Sequence, residues 1–359
     1  MRRPNITLNE ALRRNNNNAD LFRLIASISV IWGHAYGLAP ADGIREPIGA
    51  ALGFDYSGSL AVKFFFFLSG MLIATSWMRD ESPLKFSIAR LFRIFPGLIV
   101  SSAVCLLILG PLLTALPLHQ YFANSWMYEH IVFDSYLGYE IPGVFQHNAV
   151  TTGNGAIWTI AYELLMYAIL LGLGMCGLFR FKWGAAAVYG ASIVWFMARP
   201  DSISAFGLLD NNDAGRLPAF FAFGVLLALV KDSIRIDGRL VIGLCLLAYL
   251  LRHGPAFEYA FYPAFLLAPI WLMTTQAVRS IKLPGDFSYG IYVYGWPAQQ
   301  TVASLLPHSG PYTNQIIAIP LAILAGVLSW YLVEKPFIGL GHRLPTLFVD
   351  MRGSALAKR

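Results

Sequence analysis

Apolar stretches of bilayer length recur through this chain, broken by short polar connections, and they restrict the fold more than any other feature. In hydrocarbon every backbone N–H and C=O must be paired within the chain, so only helices and closed barrels can cross. A barrel strand is about ten residues of alternating polarity. The runs here are long and continuously apolar. The expected fold class is therefore all-α, a polytopic integral membrane protein. A hydrophobic content of 57%, only 13% charged residues and a mean hydropathy of +0.57 set the chain apart from soluble domains.

Ten candidate transmembrane helices fall near 21–39, 60–78, 93–115, 156–178, 184–199, 217–231, 239–252, 261–278, 287–306 and 315–337. Several are shorter than the ~20 residues of a straight crossing. Charge tests the count. With the N-terminus in the cytoplasm, the inner loops and tails hold nineteen Lys and Arg residues, Arg79, Lys85, Arg180 and Lys231 among them. The outer side then holds four, Arg45, Arg199, Arg216 and Arg252. That bias satisfies the positive-inside rule and puts both termini in the cytoplasm. Residues 1–20 read as a cytoplasmic tail, 21–337 as one transmembrane domain and 338–359 as a second cytoplasmic tail. The first 20 residues are polar, so no cleavable signal is expected, and no appended domain is expected either. The longest connection, 116–155, carries Glu129, Asp134 and Glu140, is rich in aromatics and has no Lys or Arg. It reads either as an interfacial cap over the bundle or as a passive loop. The net charge of +6 lies at segment ends and does not point to nucleic acid. Cys105, Cys176 and Cys245 lack metal-type spacing and read as small apolar fillers, so neither a metal nor a disulfide is expected.

Ionisable groups inside spans are costly and usually mark function. His34 stands in the first span, eleven residues after Arg23, which is ~16 Å along a helix. If Arg23 marks the inner edge, His34 lies in the outer half, where a neutral imidazole suits a general base. A histidine bonding a neighbouring helix fits equally well. Lys63 and Glu163 fall at similar depth on two other spans. Glu163 would orient the imidazole, and Lys63 would balance that carboxylate or steady an oxyanion. The alternatives are a charge-balanced structural cluster and a lysine reaching the outer interface. Arg90 and Arg93 share one helix face and suit phosphate, or else lipid headgroups. Phe64–Phe67 reads as lipid-facing bulk beside a small-residue notch at Ser69-Gly70. Tyr289, Tyr292 and Trp296 form a stripe that is either packing or a tunnel wall. Glu334-Lys335-Pro336 reads as a local ion pair ending the last span.

Taken in order, these segments resemble the acyltransferase 3 family of bacterial membrane acyltransferases. The resemblance rests on Asp20-x-x-Arg23 with His34, Phe64-Phe-Phe-Phe-Leu-Ser-Gly70, Arg90-x-x-Arg93-Ile-x-Pro96, Asn154-Gly-Ala-Ile-Trp158-Thr-Ile-Ala-Tyr162-Glu163, Ser288–Pro297 and Glu334–Phe337. It spans residues 20 to 337. It implies transfer of an acyl group, usually acetyl, from acyl-CoA to a hydroxyl of a cell-surface polysaccharide or lipid-linked glycan, in the bacterial inner membrane. His34 would be the base, with Glu163, Lys63 and Trp158 assisting. Arg23, Arg90 and Arg93, with Tyr289 and Tyr292, would hold the donor, and Asn154 and Tyr162 the acceptor. Two positions depart from the family pattern: Lys63 stands where many members carry Asp, and Ala161 where Pro is common. The rival reading is a transporter or flippase using the buried His, Glu and Lys as a proton or substrate site. It does not account for the basic pair together with the ordered motifs.

Overall fold

A computed structural model of the protein describes residues 7–125, 140–206 and 212–356. Among these residues the structure is helical and has no strand, only one isolated bridge between Glu140 and Thr152. The principal helices are α1 (Ala19–Leu38), α2 (Ser57–Arg79), α3 (Pro83–Val104), α4 (Trp158–Met175), α5 (Lys182–Ala198), α6 (Asn212–Val230), α7 (Gly238–Leu251), α8 (Phe257–Leu272), α9 (Ser288–Leu305), α10 (Gly310–Ser329) and α11 (Lys335–Leu356). The first ten track the expected spans. Five continuous helical runs are long and apolar enough to cross a membrane: Ala19–Leu38, Ser57–Arg79, Pro83–Leu113, Trp158–Met175 and Gly310–Pro345. Among the others, Ala214–Val230, Gly238–Leu251 and Phe257–Leu272 are apolar but shorter than a straight crossing needs.

Side chains start the helices where the orphan amides need them. Asn18 accepts from the Leu21 amide at the head of α1, and Asp237 from the Arg239 and Leu240 amides at the head of α7. At α3, Ser82 accepts from the Lys85 amide, with Pro83 in the first turn. That start lies ten residues before the expected edge of the span, so Arg90 and Arg93 sit within α3 rather than at its end. Two π segments, Cys105–Leu109 and Trp330–Glu334, each stop two residues short of a proline, Pro111 and Pro336. A proline lacks the N–H and crowds the carbonyl four residues back, and the widened turn absorbs both. The last span therefore does not end at Pro336. It runs on into α11.

The bundle has two distinct ends. At one, the connections richest in Lys and Arg bind one another. Arg180 pairs with Glu81 at 2.8 Å, the Leu8 and Asn9 amides donate to Ile234 and Lys231 carbonyls, and Asn18 donates to Val278 and Ile281. This is the basic end. At the opposite end, residues 148–156 lie on α9: Gln300 donates to Val150 and Thr152 carbonyls and Asn148 donates to Gln300. This half of the long connection caps the bundle. Glu129 and Asp134 lie outside the described residues.

Helix α2 is the axis of the bundle, packed against α1, α4 and α6. Phe64, Phe66 and Phe67 are buried, not lipid-facing. The cause is the close crossing with α6: a Cβ on Gly70 would lie 2.1 Å from the Phe221 carbonyl oxygen, and one on Gly224 would lie 2.0 Å from that of Phe67. Two glycines let the backbones touch, as the Ser69-Gly70 notch suggested, and the phenylalanines fill the surrounding grooves. No disulfide joins the three cysteines.

Candidate functional site

Two cavities open inside this bundle and share part of a wall. The larger, about 450 Å³, begins beside the basic end and is lined by Arg23, Arg90, Arg93, Glu163, Tyr167 and Tyr289 among others. The smaller, about 250 Å³, lies towards the capped end and holds His34, Tyr56, Ser59, Trp158 and Trp296. Val62, Thr159 and Tyr292 border both. Between them the Thr159 and Tyr292 hydroxyls lie 2.5 Å apart, and Tyr292 donates to the Ala156 carbonyl at 2.6 Å. The stripe Tyr289, Tyr292, Trp296 lines cavity rather than only packing: its first member borders the basic cavity, its last the histidine chamber, and its middle one both.

In the basic cavity the three arginines are not equivalent. Arg23 and Arg93 both donate to Oδ2 of Asp286, each at 2.6 Å. Arg93 also lies 3.9 Å from Glu334 and over the rings of Tyr289 and Trp330. Burial opposes ionisation of Asp286, but Arg23 and Arg93, with the Ser288 hydroxyl, hold its carboxyl well below the usual carboxylate range. This cluster ties α1 and α3 to the turn before α9. Arg90 stacks on Phe86, and its Nε is buried with no hydrogen-bond partner among the described residues. Among the described residues it is the one of the three arginines without an acidic partner, in a cavity large enough for a small molecule.

Glu163 also faces this cavity. Its carboxylate accepts from Ser69 at 3.1 Å and from Tyr167 one turn along α4. The expected pairing of Glu163 with His34 is not made. One turn of α4 separates Glu163 from Thr159, and that turn carries the carboxylate to the far side of the partition. Lys63 is also displaced from its expected partner. It is 1% exposed and bonds Asp55 at 2.7 Å and Ser59 at 2.6 Å. Asp55 in turn accepts from Tyr262, beside an Arg216–Glu258 pair. Lys63 therefore neither balances Glu163 nor reaches the outer interface. Glu334 corrects a further expectation. It turns inward to Ser329 and Arg93, while Lys335 lies over the Tyr331 ring.

The histidine chamber is sparsely polar. His34 meets Trp296 edge to face, with centroids 4.9 Å apart, and makes no hydrogen bond among the described residues. A histidine there to bind a neighbouring helix would show that bond. Trp296 donates instead to the Thr152 carbonyl, fixing the capping segment over the chamber. Asn154 is buried, donating to the Val293 carbonyl and accepting from the Ala156 amide, so its polar atoms hold the cap and not the cavity. Tyr162 is buried against Trp158 and lines neither cavity. Among the described residues no cluster of His, Cys, Asp and Glu could hold a metal ion. Sequence reasoning passed over Asp286 and Ser59. Asp286 had a signal, as an acid just ahead of the Ser288 motif in a chain with an unmatched basic pair. Ser59 had none.

Comparison with known proteins bears on this geometry. A family model described as an acyltransferase domain, acyltransferase 3, matches residues 16–335. An O-acetyl transferase of Shigella phage Sf6 is 29% identical over 92% of this chain and 98% of its own length. Nodulation protein 10 of Rhizobium leguminosarum bv. viciae is 27% identical over 92% of this chain and 96% of its own. No solved structure matches.

Proposed function

This chain belongs to the acyltransferase 3 family and is an acyltransferase, and from that premise we propose that it moves an acetyl group from acetyl-CoA to a carbohydrate hydroxyl. The name of the phage relative supports acetyl as the group and oxygen as the acceptor atom. The acceptor is a cell-surface polysaccharide or a lipid-linked glycan, and the enzyme spans the bacterial inner membrane about ten times with both termini in the cytoplasm.

The observation that carries this reading is the pair of cavities sharing Val62, Thr159 and Tyr292, with Arg90, its Nε unpartnered, in one and an imidazole that makes no hydrogen bond in the other, among the described residues. The donor enters from the basic, cytoplasmic end. Arg90 meets its phosphates first, within the frame of Arg23 and Arg93, and the pantetheine arm runs past Tyr289 to the partition. The arm needs to reach on the order of 15 Å, the helix rise from Arg23 to His34. The Thr159–Tyr292 contact opens to admit the thioester. The sugar enters from the capped, outer end.

His34 takes the proton of the acceptor hydroxyl as its oxygen attacks the thioester carbonyl. Trp158 lines the chamber, and among the described residues its N–H makes no hydrogen bond, so it is the donor that steadies the oxyanion. Collapse breaks the C–S bond, and the leaving thiolate takes the proton back from the imidazolium. Glu163 holds the donor side of the tunnel through Tyr167 and Ser69.

The test is release of free coenzyme A by purified protein in lipid nanodiscs, dependent on added glycan. His34→Ala protein that folds and turns over at the wild-type rate overturns the site. Mass analysis of surface glycans with and without the gene identifies the ester.

A further inference from the structure

Of the groups on the chamber wall, Ser59 has one arrangement the reaction as described leaves unused. Its oxygen accepts a 2.6 Å hydrogen bond from the Lys63 ammonium. It lines the chamber with His34 and Trp158. Among the described residues its own hydroxyl hydrogen is given to no acceptor. Of the other hydroxyl-bearing residues at that wall, Thr159 and Tyr292 bind each other, Tyr292 donates to Ala156, and Tyr56 has an interaction of its own.

We infer that Ser59 is a second oxyanion donor, facing the thioester carbonyl together with Trp158, and that Lys63 is the positioning residue behind it. The inference rests on the acyl transfer and the His34 chamber proposed above. An ammonium donating to a hydroxyl oxygen occupies that oxygen's lone pair and polarises its O–H, so the hydroxyl becomes a stronger donor aimed away from the lysine. Lys63 cannot act in the chamber itself. Its Nζ is held by Asp55 as well as Ser59, and Asp55 is fixed in turn by Tyr262. The ion pair is buried, its side chains 1% and 0% exposed. A buried ion pair contributes little net stability. Its effect here is to turn Ser59. The developing negative charge then meets one N–H and one polarised O–H, while His34 takes the acceptor's proton. The proton moves from hydroxyl to imidazole to thiolate as before, and Ser59 loses none.

The experiment compares wild type with Ser59→Ala, Ser59→Cys and His34→Ala in nanodiscs, with acetyl-CoA and a glycan acceptor. The cysteine variant keeps the volume but offers only a weak donor, which secures a folded protein if alanine loosens the packing. The expected result is a kcat lowered roughly 10²–10³-fold, the range for loss of one oxyanion donor, with the KM for acetyl-CoA changed less than twofold. Lys63 is tested by Asp55→Asn/Lys63→Met, which removes both charges of the ion pair together. A positioning role lowers kcat in the wild-type background and adds almost nothing on top of Ser59→Ala. A merely structural role lowers it equally in both and overturns the assignment of Lys63. A Ser59→Cys kcat within threefold of wild type, with His34→Ala inactive, overturns Ser59 alone. Wild-type activity in His34→Ala overturns the reaction site on which it rests.

Discussion

Asp286→Asn is the sharpest perturbation available to this fold. One carboxylate oxygen holds two guanidiniums, those of Arg23 and Arg93, at 2.6 Å each. The side chains are 11%, 25% and 20% exposed, so solvent screening is limited. An amide keeps the shape but leaves two cations facing each other with only Glu334, 3.9 Å from Arg93, nearby. Removing one partner from a buried ion cluster costs about 3–5 kcal/mol. The assay is equilibrium unfolding of purified protein in mixed detergent micelles, at several pH values. The pH dependence has a definite sign. The carboxyl is held below its ordinary range in the folded protein. Its contribution is therefore complete above the unfolded value of about 3.9 and is lost as pH falls through the lower folded value. The gap between wild type and variant should stay constant from pH 8 to about pH 5 and close only below about pH 4. A variant within about 1 kcal/mol of wild type at pH 7 would refute the view that this cluster joins α1, α3 and α9. A gap that widens on acidification would show that the stabilising group is something other than an ionised Asp286.

Four further outcomes follow from the same geometry. Gly70→Ala puts a methyl 2.1 Å from the Phe221 carbonyl oxygen, which should cost about 1–3 kcal/mol or prevent folding. A melting temperature equal to wild type would show that α2 and α6 separate freely. Arg90→Gln should raise the KM for acetyl-CoA roughly tenfold, the loss of a charge-assisted bond of ~1.5 kcal/mol, with kcat unchanged and the melting temperature unmoved. Arg93→Gln should lower the melting temperature as well, because its charge is bound to Asp286. Tyr292→Phe removes the 2.6 Å donor to the Ala156 carbonyl and leaves it the 3.5 Å bond from Thr159, which should destabilise by about 0.5–1.5 kcal/mol, the net worth of one hydrogen bond. It should also widen the partition, seen as slow acetyl-CoA hydrolysis without acceptor.

What the chain alone conveys divides cleanly from what it conceals. Ten apolar segments, their order and the two-ended distribution of charge follow from hydropathy and helix period, because backbone pairing in hydrocarbon leaves a helix few alternatives. The ordered motifs from Asp20 to Phe337 likewise marked His34, Arg90 and Trp158, all of which line the cavities. Hydropathy does not say which neighbour covers a face. Phe64–Phe67 is as greasy as any lipid-facing run, yet the Gly70–Gly224 crossing buries it. Depth along a helix does not say which way a side chain turns. The sequence puts His34, Glu163 and Lys63 at similar depth, but the turn from Thr159 to Glu163 carries the carboxylate into the basic cavity while His34 lines the chamber and Lys63 lines neither.

Ion pairing was the least legible property. Arg23 and Asp286 are 263 residues apart in sequence and Arg93 and Asp286 193, whereas local reasoning offered Glu334 the adjacent Lys335. A charge in a low-dielectric interior pairs with whatever opposite charge the fold brings within reach, and sequence distance does not enter that energy. The sequence by itself thus determined a helical membrane acyltransferase architecture and its reactive residue types. The tertiary structure alone decided that Arg23 and Arg93 share Asp286 while Arg90 stacks on Phe86, that Glu163 faces the cavity of the arginines, and that Lys63 binds Asp55 and Ser59. Burial energy fixes where helices form, and the close crossings between them fix which charges can meet.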